Sequence, residues 1–114
     1  MSLVDTLLTT AYEDTQLLIK NDELGDDFSI PRNVDFILRC DTKQKAETVS
    51  SFVSDNQYGV PTIEDDGDSL RLRVTVFMPI TQQVICSVSG FMACIAKLFS
   101  LEYDGWGSEI QRST

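Results

Sequence analysis

Leu70-Arg71-Leu72-Arg73-Val74-Thr75-Val76-Phe77-Met78 alternates between two kinds of side chain without a break. A period of two marks a strand with one face in a core and the other toward water or a partner. Leu70, Leu72, Val74, Val76 and Met78 take the core side, and Arg71, Arg73, Thr75 and Phe77 the other. Pro79 ends the run, because proline has no N–H for a ladder. Upstream, Asp65-Asp66-Gly67-Asp68 separates this strand from Val60–Glu64. Asp-Gly between two extended runs predicts a hairpin, and Pro61 places the partner strand at a sheet edge.

The pattern repeats on either side of the hairpin. Asn33–Cys40 alternates in the same way, with Val34, Phe36, Leu38 and Cys40 on one face. Asp41, with Gln44 three residues on, reads as the cap of a helix running to about Asn56, whose buried stripe is Ala46, Val49 and Val53. After Pro79, Thr81–Ser100 reads as a long helix with Val84, Val88, Met92, Ile95 and Phe99 in line. Gly90 within it costs about 1 kcal/mol relative to Ala and predicts a close helix–sheet contact. Leu101–Trp106 is a last short strand, and the tail Arg112-Ser113-Thr114 is expected to fray. Ahead of all this, Ser2 to about Asn21 reads as a helix capped by Ser2, with Val4, Leu7, Leu8, Ala11 and Leu18 at helical spacing. That stripe packs on the domain or binds a partner.

After the first helix the order is β-α-β-β-α-β, the ferredoxin-like order. The expected fold is therefore α+β: an antiparallel sheet, two helices on one face, and an extra N-terminal helix. The whole chain, 1–114, is expected to be one domain, with the helix and an acidic loop over 1–27 and the ferredoxin-like core over 28–110. The first and third strands would be central and the second and fourth at the edges. Strict alternation turns Leu101 and Tyr103 toward the helices. It places Asp35, Arg39, Arg71, Arg73, Phe77, Glu102, Asp104 and Trp106 on the opposite, open face, unless the N-terminal helix covers part of it.

Composition narrows the chemistry. Nine basic and 18 acidic residues leave a formal charge of −9. Phosphate neutralisation needs the opposite sign, so direct nucleic-acid binding is not expected. A basic protein partner is favoured by field complementarity, although charge also serves solubility. An RNA-recognition domain of this strand order would also need stacking aromatics on its central strands, where only Phe77 is well placed. Cys40, Cys86 and Cys94 are odd in number and sit within predicted elements, which suits free thiols in a reducing cytoplasm. With no His and no CxxC, a metal site is not expected. No apolar stretch reaches the roughly 18 residues of a membrane span, and the start lacks a signal-peptide pattern. The carboxylates cluster in loops, as Asp22, Glu23, Asp26 and Asp27 and as Glu64, Asp65, Asp66 and Asp68, where Asp forms turns and stays solvated. There is no nucleophile elbow or phosphate loop, so neither catalysis nor a cofactor is expected. The open face, with Trp106, Asp104, Glu102, Arg71, Arg73 and Phe77, is the expected partner-binding surface, and Trp106 its anchor.

The run Tyr103-Asp104-Gly105-Trp106-Gly107, following the apolar helix through Leu98-Phe99-Ser100, resembles the C-terminal signature of the RraB family, regulators of ribonuclease E activity of the B type. The resemblance implies a non-catalytic bacterial cytoplasmic protein that binds the ribonuclease E scaffold, or a related nuclease, and inhibits cleavage of some transcripts. It departs at the end: the family pattern continues into a long acidic tail, whereas seven residues follow Gly107 here. From the residues alone, a ligand-binding ferredoxin-like domain and a small oligomerisation module remain alternatives.

Overall fold

The computed structural model describes residues 2–113. Seven elements follow one another: α1 (Leu3–Glu23), β1 (Arg32–Cys40), α2 (Lys43–Asp55), β2 (Val60–Asp65), β3 (Leu70–Met78), α3 (Gln82–Leu98) and β4 (Glu102–Ser108). The strands form one antiparallel sheet in the order β2-β3-β1-β4. β1 and β3, the two long alternating strands, are central, and Pro61 lies on the β2 edge, where its missing N–H is harmless.

One face of the sheet carries the core. Val34, Phe36, Leu38, Leu72 and Val74 are fully buried there against Val49 and Val53 of α2 and Ile85 and Met92 of α3. Ile80, just past β3, is also in the core, and its N–H donates to the Phe28 carbonyl. Phe99 and Phe52 meet in a tilted arrangement, with 5.6 Å between ring centres and 55° between the ring planes. α1 does not cover the open face. It packs on α3, beside the β4 end of the sheet.

Several local expectations change. The cap of α2 is Thr42, whose hydroxyl accepts from the Lys45 N–H, and Asp41 instead pairs with the Lys45 ammonium at 3.2 Å. A Cβ on Gly90 would meet Leu7 of α1 at 3.6 Å, so this glycine marks a helix–helix approach and not a helix–sheet one. Asp26 is not a solvated loop charge. Its carboxylate pairs with Arg32 at 2.8 Å with both side chains buried, and it accepts from Asn21 as well. Arg32 also donates to the carbonyls of Asp27, Ile30 and Glu109, which satisfies the guanidinium in a dry place. The tail is held rather than frayed through Arg112, whose side chain donates to the Leu24 carbonyl; Thr114 lies outside the described residues.

Gly59 enters β2 directly under the core. A Cβ there would lie 2.6 Å from Val74 Cγ1 and 3.1 Å from the Thr75 carbonyl oxygen. Gly59→Ala is expected to destabilise the protein by about 1–3 kcal/mol through overpacking. Chemical denaturation checks this, and an unchanged midpoint would show that the strand entry can shift.

Candidate functional site

The aromatic run near the C-terminus departs from strict alternation. β4 pairs with β1 as Leu38↔Tyr103 on one side and Phe36↔Trp106 on the other. Two steps along β1 therefore oppose three along β4, which is a β-bulge at Asp104 and Gly105. Gly105 has φ +84°, a left-handed conformation that glycine adopts without strain from a side chain. The extra residue moves everything after it to the other face. Trp106, expected on the open face, points instead into the helix side and is 8 % exposed.

That inward turn completes a buried polar cluster. The Trp106 indole N–H donates to Asp14 Oδ1 at 3.0 Å. The Ser89 hydroxyl donates to the same oxygen at 2.9 Å. Tyr103 OH lies 2.7 Å from Ser89 Oγ, and because the Ser89 proton is already given to Asp14, Tyr103 is the donor. Asp14 is 3 % exposed, Ser89 is fully buried, and Asp14 Oδ2 is buried with no partner among the described residues. Three elements, α1, α3 and β4, thus meet at one carboxylate. Burial raises the Asp14 pKa above 3.8, while the Ser89 and Trp106 hydrogen bonds pull it down and the charge of Glu13 adds to the rise. Burial likewise pushes the Tyr103 phenol far above its ordinary value, against the Ser89 hydrogen bond.

The sequence held a signal for this cluster. Asp14 lies at helical spacing from Leu7, Thr10, Leu18 and Asn21, and Ser89 lies in line with Ile85, Met92 and Ala96. A polar residue within each inward stripe calls for a partner. Gly105, inside a strand, signalled the bulge.

The other expected site residues do lie on the open face. Arg73 pairs with Glu64 at 2.7 Å, Arg39 with Asp104 at 3.2 Å, and Thr75 donates to Asp35 at 2.6 Å. Arg39 and Arg71 are directly opposite in the register, a like-charge pair, and the Arg71 Nε is buried without an acceptor among the described residues. Glu102 is exposed, and Phe77 is 71 % exposed beside a groove of about 520 Å³ lined by Pro31, Asn33, Asp35 and Gly107. Among the described residues no group of three or more Cys, Asp or Glu is placed to hold a metal ion, and no helix is long and apolar enough to cross a membrane.

Fold and cluster together define a small α+β protein whose first helix is pinned to the sheet by a buried carboxylate. A family model described as "Regulator of ribonuclease activity B", RraB, matches residues 11–108, a span that includes Asp14, Ser89, Tyr103 and Trp106. The chain belongs to the RraB family, as its Tyr103–Gly107 run led us to expect. A direct search of curated protein sequences returns no match.

Two outcomes check the cluster. Gly105→Ala forces a Cβ into a left-handed conformation and is expected to cost about 1–2 kcal/mol in chemical denaturation. The pH dependence follows from the raised pKa of Asp14. The native state keeps a proton that the unfolded chain has released, so Asp14 contributes fully below pH 3.8, and that contribution declines as pH climbs through the folded value. The stability of the wild type minus that of Asp14→Asn should therefore fall with rising pH across this window. A flat difference would mean that burial does not act on Asp14.

Proposed function

We propose that this protein is a non-catalytic regulator that binds ribonuclease E, or a related nuclease, and lowers its cleavage of a subset of transcripts in the bacterial cytoplasm. The observation that carries the reading is the family match across residues 11–108, whose description is that of a regulator of ribonuclease activity. The charge of −9 supports it as well, since RNA-processing proteins present basic surfaces that such a field attracts. We read the fold as ferredoxin-like, supported by the strand order β2-β3-β1-β4.

Under this reading the open sheet face is one contact surface. Phe77 supplies an exposed aromatic anchor, and Arg71 a guanidinium whose Nε has no acceptor among the described residues. Arg73, Glu102 and Asp104 surround them as polar rim. Trp106 acts from inside, by holding α1.

Capture of purified ribonuclease E on the immobilised protein tests the reading. Binding is expected, with an association rate that falls as salt rises. Phe77→Ala with Arg71→Glu is expected to weaken capture by about tenfold or more. Absence of capture by the wild type would overturn the proposal, and unchanged capture by the variant would remove the open face from it.

A further inference from the structure

α1 is amphipathic in the reverse sense. Its inward side carries Thr10, Asp14 and Asn21 together with Leu18. Its outward side carries Val4, Leu8 and Tyr12, each 66 % exposed, and Ile19, 47 % exposed. These four sit at i, i+4, i+8 and i+15, so they form one stripe about 22 Å long at 1.5 Å per residue. Ala11 and Thr15 fill the spaces between them. Five of the twelve large apolar side chains exposed among the described residues belong to this one helix. The sequence alone merges two stripes: Leu7 and Leu18 turn inward, whereas Val4, Leu8 and Ala11 face solvent.

Hydrophobic attraction through Leu7, Leu17 and Leu18 is only part of what orients such a helix. Its polar anchors supply the rest, at Asp14 to Ser89 and Trp106, and at Asn21 to the Asp26–Arg32 pair. A helix held by its polar side leaves its apolar side available. At the far end of the stripe, a recess of about 320 Å³ opens between Thr15, Leu18, Ile19, Asp22, Phe28 and Gln82. It is large enough for an apolar side chain and has a carboxylate at its rim.

We infer that the outward stripe of α1 is a docking surface for an amphipathic helix of a partner protein, one with an apolar face flanked by Lys or Arg. Charge selects this occupant. The exposed charges of α1 are Asp5, Glu13, Asp22 and Glu23 against Lys20 alone. Asp5 is one turn from Leu8, and Asp22 and Glu23 are one turn from Ile19, so basic flanks would meet carboxylates at both ends. A second copy of this chain would bring the same carboxylates against each other, with −9 on each molecule. An anionic membrane would be repelled in the same way. Val4 and Leu8 precede the residues matched by the family model, whereas Tyr12 and Ile19 fall within them. The inference rests on the proposed regulatory function only for the partner's identity.

The test needs no nuclease. A synthetic amphipathic helix of Leu and Lys, and a twin with Glu for every Lys, are titrated into the isotope-labelled full chain while backbone amide shifts are followed. The Leu/Lys peptide should shift amides along α1 from Val4 to Ile19, and the Leu/Glu twin should bind at least about tenfold more weakly. Leu8→Glu with Ile19→Glu should weaken the Leu/Lys peptide by about tenfold or more. Both residues are exposed, so the melting curve should stay as in the wild type, and because the variant is more acidic, purely electrostatic binding would instead tighten. Shifts confined to the open sheet face, or equal binding of both peptides, would overturn the inference. So would a dimer that the variant turns into monomers by light scattering, or vesicles of phosphatidylglycerol that bind the wild type and not the variant. Failure here leaves nuclease capture through the sheet face standing, and failure of that capture leaves this surface standing.

Discussion

Oδ1 of Asp14 accepts both the Trp106 indole and the Ser89 hydroxyl, and the position of α1 depends on that convergence. A buried carboxylate loses solvation that hydrogen bonds must replace. Two charge-assisted donors on one oxygen supply part of that replacement and fix a direction at the same time. The result is a helix located by polar geometry, with apolar side chains left outside. Four of the five residues of the Tyr103–Gly107 run then have a physical role. Tyr103 reaches Ser89, Asp104 pairs with Arg39, and Gly105 bends the strand. Trp106 reaches Asp14 as a consequence of that bend.

A second buried polar group works at the other end of α1. Arg32, at the start of β1, joins Asp26 and three carbonyls, and Asn21 completes the arrangement. A pair like this contributes little over an apolar replacement, yet loss of one partner costs about 3–5 kcal/mol because a bare charge stays buried. Its effect is specificity of arrangement: it ties the α1–β1 loop to the segment after β4. The two clusters sit near the middle and the end of the helix, so α1 cannot rotate about its axis to bury Val4, Leu8 and Tyr12 without breaking both.

What the sequence revealed follows from periodicity. Unbroken alternation in Leu70–Met78 and Asn33–Cys40 was enough to place the two central strands, and Pro61 and the Asp-Gly turn to place an edge. Periodicity fails where one residue is inserted: the bulge at Gly105 reverses the face of Trp106, and no count of apolar residues shows that. It also fails where a helix is held by polar groups, because a hydrophobic stripe is then read as the inward face. Val4 and Leu8 share helical spacing with Leu7 and Leu18, so periodicity alone does not separate the outward residues from the inward ones. Arg71, Arg73, Phe77, Glu102 and Asp104 lie where alternation puts them, on strand segments with no insertion before them.

The placement of α1 depends on whether Asp14 and Trp106 act as a unit. A double-mutant cycle of Asp14→Ala and Trp106→Phe, measured by chemical denaturation near neutral pH, addresses this directly. The predicted result is a coupling energy of about 1 kcal/mol or more between the two sites. Additivity to within about 0.5 kcal/mol would contradict it, and α1 would then be held by packing and by the Asn21 cluster without the Asp14–Trp106 pair.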